Sequence, residues 1–244
     1  MDKQIIPYKF SIKSKREQIQ NMFTIISTRY DLLNRIISWG LDKRWRNKVF
    51  KLVLQRNPDS VLDIATGTAD MAILLSKTKA RHILAIDTSV GMLAVAREKI
   101  NALGLQRQIR IEIQDAENIK CPDNFFDAAT ITYGIRNFEN LERSLSEAFR
   151  VLKSNGILVI LETSVPSNPL IRLGYKLYTK KIVPKIGAMI SKDKNAYEYL
   201  AESAINFQSG SEIVAILRKI GYQTVKSLPQ VFGISTIYVA EKCS

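Results

Sequence analysis

Histidine and cysteine are nearly missing from this chain: among 244 residues, His82 is the only imidazole, and Cys121 and Cys243 are the only thiols. Two cysteines without C-x-x-C spacing exclude a disulfide framework and a cysteine zinc site. A single histidine, placed at the head of an apolar run, cannot build a ligand set or a Ser-His-Asp relay, so it reads as structural and no metal is expected. No run of eighteen apolar residues occurs, and the first 17 residues are polar and charged where a signal peptide would be apolar. A soluble, cytosolic protein is therefore expected. The G-x-G-x-x-G string of dinucleotide enzymes is also absent.

What is present is apolar mass and basic charge. At 46% hydrophobic, the chain can bury one substantial core, so a single domain over 1–244 is expected. The formal net charge of +13 is unevenly spread. Residues 1–56 hold 13 Lys+Arg against 4 Asp+Glu, and residues 165–195 hold 7 against 1, which leaves the rest slightly acidic. Solvated helix faces, an anionic membrane surface and nucleic acid all fit such a distribution.

Residues 15–34 place Ile19, Met22, Phe23, Ile26, Tyr30 and Leu33 at helical spacing, and a second helix is expected over 42–55 with Asp42 as its N-cap. From residue 60 short apolar runs alternate with helical periods, the pattern of a parallel sheet wrapped by helices. Strands are expected at 61–65, 82–87, 109–114, 128–132, 157–162, 223–227 and 235–241, with helices at 68–77, 89–103, 141–152 and 211–220. The last two strands are joined by too few residues for a helical crossover and should pair antiparallel. The expected fold is α/β: a Rossmann-like, seven-stranded, doubly wound sheet with its last strand antiparallel. An N-terminal helical cap (1–56) precedes a cofactor-binding core (57–163). A helical insertion between strands five and six (164–208), not core-like in composition, precedes the C-terminal helix and strand pair (209–244).

In open parallel sheets ligands bind beyond the carboxyl ends of the strands. There the first strand delivers Asp63 and the loop Ala65-Thr66-Gly67-Thr68-Ala69-Asp70, whose small residues let a ligand approach the backbone. Asp63 and Asp70 would repel a pyrophosphate but suit an ammonium group. Asp87, ending the second strand, is placed to accept both hydroxyls of an adenosine ribose, and Asp115, beside Ala116 after the third, to accept from an adenine amino group. Ammonium, ribose and adenine together describe S-adenosylmethionine.

Several strings sharpen this. They are Tyr30-Asp31-Leu32-Leu33-Asn34 with Ser38-Trp39-Gly40, the Leu62–Asp70 segment, and above all Thr132-Tyr133-Gly134-Ile135-Arg136-Asn137, followed by Pro184-Lys185-Ile186-Gly187 and Ala196-Tyr197-Glu198-Tyr199-Leu200. They resemble the UbiE and MenG family of quinone-biosynthesis C-methyltransferases, class I enzymes dependent on S-adenosylmethionine. The resemblance implies cofactor contacts at Thr68, Asp87 and the Asp115-Ala116 pair, with Thr132 bordering the site. Where the family usually has glycine this chain has Ala69, which is tolerated if its φ is negative.

For transfer of a methyl group to a ring carbon of a quinol, a cation must stabilise the oxyanion that develops on the neighbouring oxygen. Arg136 is the candidate, with Asn137 as its orienting hydrogen-bond partner. Water activated by Arg136 and a carboxylate, Asp70 or Asp31, is the candidate proton acceptor, and Tyr30 is expected to close over the cofactor. The substrate expected is demethylmenaquinol, the alternative the equivalent benzoquinol of ubiquinone biosynthesis. From another class comes a non-catalytic, cofactor-binding scaffold. Residues 170–190 interleave Leu, Ile, Val, Tyr175 and Tyr178 with Arg172, Lys176, Lys180, Lys181 and Lys185. With the first helix they are expected to form a lid that admits an isoprenoid tail and touches an anionic membrane from the cytoplasmic side. No nucleic-acid partner is expected, since the slot after the fourth strand lacks an Asn/Asp-Pro-Pro-aromatic string. An oligomer is compatible with the sequence.

Overall fold

The computed structural model describes residues 5–8, 10–191, 193–207 and 209–243. Both chain ends of the expected domain and Gln208, which bounds the expected insertion, lie outside the described residues.

Seven strands form one sheet: β1 (Ser60–Ile64), β2 (His82–Asp87), β3 (Ile109–Ile113), β4 (Phe126–Thr132), β5 (Leu152–Thr163), β6 (Thr224–Gln230) and β7 (Ser235–Glu241), in the order β3-β2-β1-β4-β5-β7-β6. β1 to β5 run parallel; β7 pairs antiparallel with both β5 and β6. The strand order reverses between β1 and β4, so the crevice that receives a ligand opens at their carboxyl ends. Alternation along β1 divides the core. Val61 joins Ala85, Ala128 and Val159 under α2 (Leu41–Leu54), α3 (Asp70–Leu75) and α4 (Val90–Ala102). Leu62 and Ile64 join Ile131, Leu158 and Ile160 under α5 (Leu141–Val151) and α9 (Ser211–Ile220).

Several boundaries move for physical reasons. Pro229, expected in a connection, lies inside β6 opposite Thr236; β6 is an edge strand, where a residue without an N–H costs no ladder bond on its open side. Asp42 does not cap α2. Gly40, with φ 75°, occupies the cap, and Asp42 sits in the first turn accepting a hydrogen bond from the Ser38 hydroxyl at 2.9 Å. α3 starts at Asp70 because Ala69, at φ 65°, precedes it in the left-handed region.

The insertion differs most from expectation. It folds as α6 (Pro169–Leu177), a wide π-type turn (Tyr178–Ile182), α7 (Val183–Ser191) and α8 (Lys194–Asn206). It carries core after all: Tyr197 and Tyr199 of α8 are buried with Met22, Ile26 and Leu33 of α1 (Lys15–Ile37) and Met92 of α4. A side chain on Gly187 would place its Cβ 2.1 Å from Cγ of Tyr197, so glycine is what lets α7 lie against α8. The tyrosine and lysine content that reads as surface in sequence is thus split by the helices, rings inward and ammonium groups outward.

Candidate active site

The crevice holds a cavity of about 110 Å³ walled by the loop after β1, the ends of β2, β3 and β4, and α1 lying across the top. Its loop alternates left-handed residues, Ala65 at φ 53°, Gly67 at φ 58° and Ala69 at φ 65°. This turns successive backbone groups toward neighbouring strands: the Thr66 N–H donates to the Ile86 carbonyl at 3.0 Å, and the Gly67 N–H to Asp87 Oδ2 at 2.9 Å. Asp87 also accepts from the Ser89 N–H at 2.8 Å, and burial pushes its carboxyl above the usual range against these donors. Each oxygen keeps a lone pair free at the cavity wall, as acceptance from a diol requires.

Asp63 is not at that wall. It is fully buried beneath the loop, where the hydroxyls of Thr66 and Thr130 each donate to one of its oxygens at 2.6 Å. Burial raises it to about 6, against the pull of those two hydroxyls and of Arg46. The expected contact with an ammonium group is therefore corrected to a supporting role: inward alternation along β1 fixes the side chain under the turn it holds.

Ala65, Gly67, Thr68, Asp70, Asp87, Asp115, Ala116, Thr132, Tyr30 and Asn137 all line the cavity. Asp115 pairs with Arg16 of α1 and accepts from the Glu117 N–H at 2.9 Å. Thr68 donates to Asp31 of α1 at 2.6 Å, and Lys99 bridges Asp31 and Asp70. These contacts tie α1 to the segment after β3 through Arg16 and to the loop after β1 through Asp31, which is half-buried in the tie. Burial opposes ionisation of Asp70, but Lys99, Arg46 and Arg35 outweigh it and hold the carboxyl below its usual range. A carboxylate so stabilised is a poor proton acceptor, and it does not border the space into which Arg136 opens. Asp70 is withdrawn from that role.

Arg136 lines a second cavity, of about 540 Å³ and mainly apolar, which meets the first at Tyr30 and Tyr133. Its guanidinium is buried, not on the surface. Nη1 donates to Glu162 Oε1 at 2.5 Å and to the Tyr133 carbonyl at 3.0 Å, while Nε has no partner among the described residues. Glu162, fully buried at the end of β5, also accepts from the Thr163 N–H at 2.8 Å, and so fixes the arginine to the sheet. Asn137 Oδ1 accepts from the Tyr199 hydroxyl at 3.1 Å, which leaves its amide N–H groups to donate. The walls come from the α1–α2 corner (Ile37, Trp39, Leu41) and from the insertion (Ile171, Tyr175, Tyr178, Val183).

Three contributors are given no role by the sequence: Arg46, Glu162, which only ends an expected strand, and Tyr133, which stands only within its motif. Glu162 shows as an acid at a strand end, the signal that located Asp87. Arg46 looks like any basic residue of a charged helix. Its Nη1 donates to the Thr132 hydroxyl at 2.8 Å across 86 positions of chain, and its guanidinium stacks over the Tyr133 ring at 5.5 Å.

Residues 11–242 match the model of the ubiE/COQ5 methyltransferase family. The chain is 38% identical to the demethylmenaquinone methyltransferase of Bacteroides fragilis over 98% of its own length and 97% of that protein's. It is 39% identical to the ubiquinone/menaquinone biosynthesis C-methyltransferase UbiE of Geobacter sulfurreducens, over 99% and 94%. Among solved structures, a SAM dependent methyltransferase from Aquifex aeolicus shares the fold, with TM-score 0.59 and 22% identity over 81% of this chain and 89% of that one. With the family's model matching nearly end to end over a sheet of this strand order, the chain belongs to the ubiE/COQ5 methyltransferase family.

Proposed function

We propose that the protein methylates a ring carbon of demethylmenaquinol, giving menaquinol, with S-adenosylmethionine as methyl donor. The observation that carries this reading is a buried guanidinium, Arg136, opening into a large apolar cavity that adjoins an acid-lined one. The acid-lined cavity suits the cofactor's chemistry: Asp87 offers acceptors to ribose hydroxyls, Asp115 and Ala116 border the adenine end, and Gly67, Thr68 and Asp70 border the amino-acid end. When bound there, the cofactor supplies an electrophilic methyl group on a sulfonium. The apolar cavity takes the ring and the start of its tail. Its arginine favours the quinol oxygen ionised by loss of its proton to solvent and holds that charge. The oxygen pushes electron density onto the neighbouring carbon, which bonds the methyl group as the sulfonium becomes a thioether. That carbon then releases its own proton to the solvent, restoring the aromatic ring. Glu162 keeps the guanidinium in place, Asn137 donates from the cofactor side, and Tyr30 and Tyr133 form the wall at which nucleophile and donor meet.

Exposed Trp39, Leu170, Leu173 and Leu177 lie beside the cavity's α1–α2 and α6 walls, with Lys176, Lys180 and Lys181 close by. This face contacts an anionic membrane surface peripherally, from the cytoplasmic side, and draws the substrate from it. No helix among the described residues is long and apolar enough to cross a membrane. Flotation with anionic and neutral liposomes at low salt tests the contact; equal recovery with both would remove it. Incubation with labelled cofactor and short-tailed demethylated naphthoquinol or benzoquinol, read by product mass, tests the reaction. Methylation of the naphthoquinol supports the proposal; methylation of the benzoquinol alone, or of neither, overturns it.

A further inference from the structure

Arg46 is a buried cation without an ion pair: Asp70 and Asp42 act on it only from beyond contact distance. It is nine-tenths buried at the wall of the cofactor cavity, beside Thr66, Thr68 and Thr132. Among the described residues the Thr132 hydroxyl is its one hydrogen-bond partner, Nε has none, and no carboxylate forms an ion pair with it. Asp70, on the same cavity, is committed to Lys99. A guanidinium removed from water ordinarily has a carboxylate in contact and fills its fork of donors, and here most of that fork is unfilled. The stack over Tyr133 relieves only part of that. Arg136 has the opposite arrangement, with Glu162 already against it. The two arginines face different cavities and differ in whether their counter-charge is built in.

We propose that Arg46 receives the carboxylate of the cofactor's amino-acid end. The inference rests on the cofactor reading above and adds the partner for the one group that the strand-end acids cannot bind. Asp87, Asp115 and Asp70 suit hydroxyls and N–H groups and repel an anion. Of the cations lining that cavity, Arg16 is paired with Asp115 and Lys15 lies partly exposed at the rim, so Arg46 is the buried one without an ion pair. The opposite placement, on the anionic substrate oxygen, would need Arg46 to border the apolar cavity, and it does not. Seating the carboxylate here fixes the direction in which the cofactor lies, with its amino-acid end against α2 and β4 and its adenosine toward β2 and β3. α2 thereby becomes part of the cofactor site and not only a cap over the sheet.

Calorimetric titration distinguishes the alternatives. The probes are S-adenosylhomocysteine, its decarboxylated amine analogue, and 5'-methylthioadenosine, which lacks the amino-acid end altogether. In Arg46→Gln, affinity for S-adenosylhomocysteine should fall about 10- to 100-fold, as expected for losing a charge-assisted fork. Affinity for the two probes without a carboxylate should change less than about 3-fold, which also shows that the variant folds. Arg46→Lys should recover part of the loss, keeping the charge but not the fork. Equal weakening of all three probes would make Arg46 architectural, and undiminished binding of S-adenosylhomocysteine would place its carboxylate elsewhere; either overturns the proposal. Failure of the unaltered protein to bind S-adenosylhomocysteine would sink the cofactor reading itself, a separate result.

Discussion

The two cavities are built on different plans. The cavity proposed for the cofactor is floored by strand ends and roofed by α1: β1, β2 and β4 deliver Thr66 to Thr68, Asp87 and Thr132 to one edge because parallel strands all finish there. The cavity proposed for the substrate has one wall from the ends of the sheet, Tyr133, Arg136, Thr163 and Ile234, and the rest from α1, α2 and the insertion. α1 and the insertion pack together in the third core cluster, while Leu41 and Trp45 of α2 belong to the first. A site of the first kind inherits its precision from the backbone ladder. One of the second kind depends on side-chain packing between distant helices, and its insertion wall (Ile171, Tyr175, Tyr178, Val183) does not border the first.

Removing the cation of the larger, apolar cavity is the largest expected effect. Arg136→Gln should lower turnover about 10²- to 10³-fold in the methylation assay while S-adenosylhomocysteine affinity stays within a few-fold. Because it leaves Glu162 buried without its partner, it should also cost about 3–5 kcal/mol in denaturant unfolding. Arg136→Met combined with Glu162→Gln should regain stability and not turnover. A double variant that regained both would deny the arginine any part in the chemistry.

Next in size is an effect confined to the cofactor loop. Asp63 has a folded pKa of about 6 against an ordinary 3.8. Between those values the folded state binds the proton that the unfolded chain has released, so stability falls as pH rises from about 4 to 6 and then levels off, by on the order of 2–3 kcal/mol. Asp63→Asn should flatten that segment of a denaturant-midpoint profile. A profile unchanged by the substitution would mean that some other group carries the slope.

Gly187→Ala should cost about 1–3 kcal/mol, since the new methyl meets Tyr197. If the cavities are as separable as their construction implies, substrate KM rises while calorimetric affinity for S-adenosylhomocysteine holds; a matched loss of both would mean that the insertion also supports the cofactor site.

The smallest effect belongs to Ala69. Its φ of 65° is positive, not the negative value that would make alanine free of strain. Ala69→Gly relieves roughly 1 kcal/mol of left-handed strain, but it loses a buried methyl group and frees the unfolded chain by similar amounts. Thermal midpoint and cofactor affinity should therefore barely move. A large gain in either would show the loop to be held in a strained form by its neighbours.

Sequence reading succeeded where local chemistry repeats itself. Strand alternation located the sheet almost residue by residue in β2 and β7, and the carboxylates at the strand tips marked the ligand crevice. It failed wherever a side chain's meaning depends on what faces it. Asp63 and Asp87 look alike in sequence, yet the pleat turns one under its loop and leaves the other at the cavity wall. Asp70 reads as a base until Lys99, from a helix 29 positions away, neutralises it.

What the amino-acid sequence determined by itself was periodicity and punctuation: where strands and helices run, which ends carry acids, and which segments are basic. Only the tertiary structure decided partnership. It gave Arg136 a built-in counter-charge and left Arg46 without one, because ion pairing in a dry interior is set by which residues close packing brings within a few ångströms, often across most of the chain.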